Sequence, residues 1–171
     1  AYNKEMNALQ KRILTRVNQG DDNFQEAVEK AIPGRMLLNF RKGAWKARGV
    51  KQGFKENKLE ADGPDFNYYA NVVKLATVRA VLFKNKSKSG KRRIVGSKDV
   101  CTAFLQSLGY PPGVVKYVTF VNPVTGEKEY YKQTGPIYGE ASAPARWEET
   151  MSRFLQSLGF EPGKNEPSIY Y

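Results

Sequence analysis

Two hydrophobic periods alternate along this chain, and that alternation constrains its fold more than any other feature. Apolar residues recur at three and four positions through Met6, Leu9, Ile13 and Val17, the stripe of an amphipathic helix. The period returns at Phe24, Ala27, Val28, Ala31 and Ile32, with Asp22 as the expected N-cap and Pro33-Gly34 as the stop. The pattern then changes. Residues 36–40 and 45–50 are short β-prone runs around Arg41-Lys42-Gly43, which predicts a basic hairpin. Residues 55–65 read as loop and 75–83 as a short helix. Pro111-Pro112-Gly113 forces a break, after which residues 116–121 and 129–132 flank Asn122-Pro123-Val124-Thr125-Gly126 as a second hairpin. The clearest helix follows: Trp147, Met151, Phe154, Leu155 and Leu158 share one face, with Ser142 as cap, Pro144 near the start and Gly159 at the stop. That stripe reads as core. The expected class is therefore α+β, with antiparallel strands packed against helices.

One internal echo is present: residues 104–110 read FLQSLGY and residues 154–160 read FLQSLGF. Two copies are too few for a solenoid. Each reads as an apolar helix end with the same glycine stop.

Charge points to the partner. Lys and Arg total 28 against 17 Asp and Glu, a net charge of +11 over 171 residues, so a polyanion such as nucleic acid is the expected partner. Residues 84–93 alone hold six cations, Lys84, Lys86, Lys88, Lys91, Arg92 and Arg93, in a basic loop that reads either as a phosphate clamp or as solvated surface. No apolar run approaches the roughly 20 residues of a membrane span, and the chain is expected to be intracellular. With no histidine and a single cysteine, Cys101, the usual zinc ligands, the usual general base and an internal disulfide framework are excluded. A metal held here would be an oxygen-liking one such as magnesium.

Against that background the stretch SKDVCTAFL, residues 97–105, sets one acid, Asp99, after the β-branched pair Ile94-Val95 and before a segment able to turn helical. Asp99 is expected at the end of a buried strand.

The motifs gain meaning from their order. Lys46-Ala47-Arg48 and Gln52-Gly53-Phe54, then Val72-Val73-Lys74-Leu75 with Thr77 and Arg79, then Asp99-Val100 with residues 102–105, then Tyr138-Gly139 with Ala143-Pro144 and Trp147, resemble the reverse transcriptases of copia-type long-terminal-repeat retrotransposons. The resemblance runs over roughly residues 4–171. It implies the fingers and partial palm of a right-hand polymerase: a helical segment over 1–35, a fingers-like region over 36–98 and a palm-like region over 99–171. Asp99 would be the first of three catalytic aspartates holding two magnesium ions, with the Val100 carbonyl as a further ligand. Lys46 and Arg48 would lie near the incoming triphosphate. Phe104 would be an aromatic gate against the ribose 2′-hydroxyl, and Tyr138 and Gly139 would contact nucleotide or template. An RNA template and a DNA primer would be the partners, in a cytoplasmic particle or the nucleus.

Departures accompany the resemblance. The family's Tyr-x-Asp-Asp turn, which supplies the other two aspartates, is not among these residues, so the chain as given is expected not to polymerise alone. Lys98 replaces an apolar residue, Gly49 a Leu, Asn71 a Pro, and Ala141-Ser142 a Lys-Gln pair. The other expectation is a non-catalytic basic nucleic-acid-binding or structural subunit of a larger assembly, derived from a retrotransposon.

Overall fold

A computed structural model describes residues 1–57, 61–83, 90 and 96–171. The six cations Lys84, Lys86, Lys88, Lys91, Arg92 and Arg93, and the pair Ile94-Val95, lie outside the described residues.

The class is α+β. Five strands form one mixed sheet: β1 (Leu14–Val17), β2 (Ile32–Arg41), β3 (Ala44–Lys51), β4 (Lys116–Val121) and β5 (Lys128–Gln133), in the order β1-β5-β4-β2-β3. All pairings are antiparallel except β2 with β4, which meet in parallel through Ile32↔Val118 and Pro33↔Thr119. Among the described residues the helices are α1 (Tyr2–Arg12), α2 (Phe24–Lys30), α3 (Leu75–Phe83) and α4 (Ala143–Ser157). The sheet takes strands from all three segments expected from the sequence.

Both hairpins form where their turn residues place them. Lys42 and Gly43 carry positive φ, 51° and 74°, between the paired residues Arg41 and Ala44, the conformation that a two-residue hairpin of the right twist requires. In the second, the Asn122 side chain accepts the N–H groups of Val124 and Thr125, which folds the turn back on itself.

The first two helices end sooner than their apolar stripes suggest. α1 stops at Arg12, and Val17 is buried instead through β1, opposite Tyr130. α2 begins after Asn23 rather than Asp22 and stops at Lys30. Ala31 is extended, and Ile32 opens β2 because the residue before a proline is driven out of the helical region and Val118 is there to pair with it. Periodicity counted these residues correctly as buried or half-buried and assigned them to the wrong element.

α1 lies across the sheet and closes the larger core, Met6, Leu9, Ile13, Leu14, Leu105, Val118, Phe120, Tyr131 and Ile137. A Cβ at Gly49 would stand 2.7 Å from the Leu9 side chain, and one at Gly34 would enter the Phe120 ring. These two glycines, on the same face of the hairpin, therefore let helix and aromatic approach the backbone of the β2–β3 hairpin. A leucine at 49 would push α1 away.

The stretch around Asp99 corrects its expectation. Residues 96–100 form no strand and are exposed; Lys98 therefore meets water and Asp99 ends no buried strand. Cys101 and Thr102 turn, Thr102 at φ 53°, into a single 3-10 turn at Ala103–Gln106.

The two echo copies also part company. The second is the end of α4, where Gly159 takes φ 87° as a helix stop. In the first, Gly109 has no such φ; a Cβ there would lie 2.8 Å from the Thr134 carbonyl, so this glycine serves close backbone approach. The stripe of α4 is not sealed core either: Trp147, Met151 and Leu155 are half-buried, and Phe154 and Leu158 are exposed.

Candidate functional site

Side chains alternate along a strand, and cross-strand partners share a face. In the β2–β3 register Leu37 faces Arg48, Asn39 faces Lys46, Arg41 faces Ala44 and Arg35 faces Val50. One face of the hairpin therefore presents Arg35, Arg41, Lys46 and Arg48, all exposed. The other presents Leu38, Phe40, Trp45 and Ala47, with Phe40 and Trp45 in ring contact at 5.3 Å. The ribbon is cationic on one side and apolar on the other.

At its inner end the cationic face meets the other motifs. The Arg48 guanidinium sits over the Tyr138 ring, 4.6 Å from its centroid, and the Phe104 ring packs against Tyr138 at 5.4 Å. Tyr138 bridges β3 at Val50, and its carbonyl accepts the Lys51 N–H at 2.7 Å. Gly139 follows at φ 87°, where a Cβ would collide with the Lys51 carbonyl. Burial pushes the Tyr138 phenol up; Arg48 pulls it back, and Glu5, Asp99 and Cys101 add to the rise. Arg48, Phe104, Tyr138 and Gly139 come together, while Asp99 makes no described contact with them and acts on the Tyr138 phenol only as a nearby charge. Lys46 stands one step further out on the same face, and Val100 is exposed beside Asp99.

Beside this cluster runs an open groove of about 370 Å³, lined by Val72, Phe104, Trp147, Met151, Leu155 and Tyr170 among others. Its wall is tied to α4 through Asn71, whose backbone N–H donates to Glu148 at 2.7 Å. A proline at 71 could not make that bond.

Behind the cluster lies an ionic network that the sequence reading did not anticipate. Lys51, Lys116 and Arg146 are buried with Glu56, Asp62 and Glu140, three cations against three carboxylates. Lys116 Nζ donates to Asp62 at 2.9 Å and Glu140 at 2.8 Å, and Lys51 Nζ donates to Glu56 at 2.7 Å. Glu140 also accepts from Tyr110 and Ser142, and Asp62 from Tyr68 and Arg146. Arg146 lies over the Phe66 and Tyr110 rings. Burial alone would raise the Glu140 carboxyl, but Lys51, Lys116 and the hydrogen bonds outweigh it and hold it below its ordinary value. Asp62 is held low by the same contest, in which Lys116 and Arg146 win over burial. Burial would lower the Lys116 ammonium, yet Glu140, Asp62 and Glu56 keep it raised. A signal for this network does exist in the sequence. Lys116 shares its strand face with Val118 and Phe120, and Lys51 shares its face with Gly49, so each lysine sits at an inward phase and needs a buried anion.

Glu56, Asp62 and Glu140 are the carboxylates that come within 4.8 Å of one another among the described residues. Lys116 Nζ already stands between them, so their cation is an ammonium. Asp99 is not in this group, and Asp99 with the Val100 carbonyl offers too few oxygens for the octahedral shell of magnesium. The described residues do not by themselves fit a resident metal pair. No described helix is long and apolar enough to cross a membrane.

No family model matches the chain, and no curated protein and no solved structure matches it either.

Proposed function

We propose that this chain is the fingers and partial palm of an RNA-directed DNA polymerase, that the Arg48–Tyr138–Phe104 cluster is its nucleotide site, and that Asp99 is its first catalytic aspartate. One observation supports the reading: residues from three separate motifs, Arg48, Phe104 and Tyr138, meet at the Tyr138 ring. An exposed guanidinium over that ring offers bidentate bonding to phosphate, and the close approach of Gly139 to the Lys51 backbone anchors the segment that carries the ring. Magnesium enters this reading with the nucleotide, whose phosphates supply the oxygens that Asp99 and Val100 lack. The partners are an RNA template and a DNA primer.

The test is primer extension by a version of the protein continued through a Tyr-x-Asp-Asp turn. Asp99→Asn keeps shape and removes charge, and is expected to abolish magnesium-dependent extension while the protein stays folded. Phe104→Val is expected to admit ribonucleotides with little loss of deoxynucleotide use. Undiminished extension by Asp99→Asn would overturn the assignment.

The hairpin's cationic face favours a second, non-catalytic reading, a basic nucleic-acid-binding subunit of a larger assembly. Both readings require binding that weakens steeply with salt through counterion release. Extension activity separates them.

A further inference from the structure

We propose that Glu140 is a positioning residue, whose buried carboxylate fixes Tyr138 beneath Arg48. This rests on the nucleotide-site reading above for its purpose, although not for its geometry. Glu140 follows Tyr138 by two residues and has a fully buried side chain. Lys116, Tyr110 and Ser142 donate to it, and Lys51 Nζ stands 3.8 Å away. Lys51 is also held from the other side, because its backbone N–H donates to the Tyr138 carbonyl. The end of β3 and the turn at 138–140 are therefore joined twice, once through backbone and once through charge. Arg48 stands three residues back along the same strand, over the ring that this turn carries.

A network of this kind is an expensive way to fill space. Six buried charges lose their hydration, and apolar side chains of equal volume would often serve stability as well or better. What the charges add is direction: Glu140 accepts from Lys116 on β4, from Ser142 at the start of α4 and from Tyr110, donors on separate parts of the chain that together favour one arrangement of the turn. Glu140 gathers β3, β4 and the start of α4 onto one carboxylate. The Tyr138 ring inherits its place from that arrangement.

The experiment reads ring placement without a ligand. Protein labelled with 3-fluorotyrosine gives a fluorine resonance for Tyr138, assigned by its loss in Tyr138→Phe. In the parent protein Arg48→Ala should shift that resonance, because a guanidinium is removed from over the ring. In Glu140→Gln the same Arg48→Ala change should no longer shift it. The double variant Glu140→Gln, Lys51→Met restores two cations to two carboxylates and is expected to recover stability, yet to remain insensitive to Arg48→Ala. Should Glu140→Gln alone fail to fold, the double variant carries the same readout. An equal shift from Arg48→Ala in every background would overturn the proposal, leaving Glu140 a structural residue only. Binding of a deoxynucleoside triphosphate is measured separately on the parent protein; its absence would count against the nucleotide-site reading and leave the placement result standing.

Discussion

The β2–β3 hairpin has an inner and an outer end that share one register and live in different surroundings. At the inner end Gly34, Met36, Gly49 and Lys51 face α1, Phe120 and the ionic network. At the outer end Leu38, Phe40 and Trp45 face solvent, Trp45 with 63% of its surface exposed. A two-stranded ribbon is marginal in water unless something packs on it, so the inner contacts must hold the outer strands in register. Folding is decided at one end. The other end carries the exposed cations Arg41, Lys42 and Lys46, which the proposed reading assigns to recognition.

The sharpest way to break this division is to attack the inner end through its charges. Glu140→Ala leaves three buried cations, Lys51, Lys116 and Arg146, against two carboxylates, and should destabilise the protein by about 3–5 kcal/mol. Urea melts will read this directly. Trp45→Ser at the outer end should stay within about 0.5 kcal/mol of the parent. A comparable loss from both would mean that the ribbon folds as a unit and that the two ends are not distinct.

A smaller loss is expected from Gly139→Ala. The residue holds φ 87°, and the added methyl would meet the Lys51 carbonyl. Left-handed strain of this kind costs about 1–3 kcal/mol. Because the collision falls on backbone, hydrogen exchange at the Lys51 amide should speed up more than exchange in β4 or β5. Uniform acceleration across the sheet would place the effect elsewhere.

The pH dependence sharpens the comparison further. Glu140 and Asp62 titrate low in the folded protein, so their contribution is full above the unfolded carboxylate range, about 3.9 to 4.3, and is lost as pH falls through their folded values. Lys116 titrates high, so its contribution is full below about 10.4 and is lost as pH rises through its folded value. Thermal melts should therefore show a plateau between these limits with a loss on each side. In the charge-balanced Glu140→Gln, Lys51→Met variant the acid limb should become shallower. An unchanged acid limb would assign acid unfolding to other carboxylates.

The parts of this fold that the sequence announced are those whose cause is local. Lys42-Gly43 supplies positive φ at both turn positions, and the run at 75–83 contains no glycine or proline to interrupt a helix. What it concealed depends on distant partners. Ile32 continues a helical stripe, and only Val118 across the sheet makes it a strand. The hexapeptide FLQSLG is identical at 104 and 154; Thr134 approaches one copy, and solvent surrounds the end of the other. The same holds at the site. Arg48, Phe104 and Tyr138 were named by motif and pack together, whereas the network was missed because its members lie up to 95 positions apart, from Lys51 to Arg146. An inward lysine on a strand was the available clue, and its partner could not be named without the fold.

The smallest effect is expected at the outer end, and it tests function rather than stability. Lys46→Ala removes an exposed cation that no described ion pair engages, so the melting curve should barely move. If the cationic face tracks a nucleic acid backbone, log affinity for single-stranded RNA should fall less steeply with log salt, the slope dropping by roughly one for one lost phosphate contact. Arg41→Ala should behave alike and add to it, because both side chains lie on one face and each would meet its own phosphate. Leu38→Ser, on the opposite face, should leave the slope unchanged. If instead the slope ignores Lys46 and Arg41 while Leu38→Ser weakens binding, the apolar face is the one in contact, and the division of the ribbon into a cationic and an apolar side has been assigned the wrong way round.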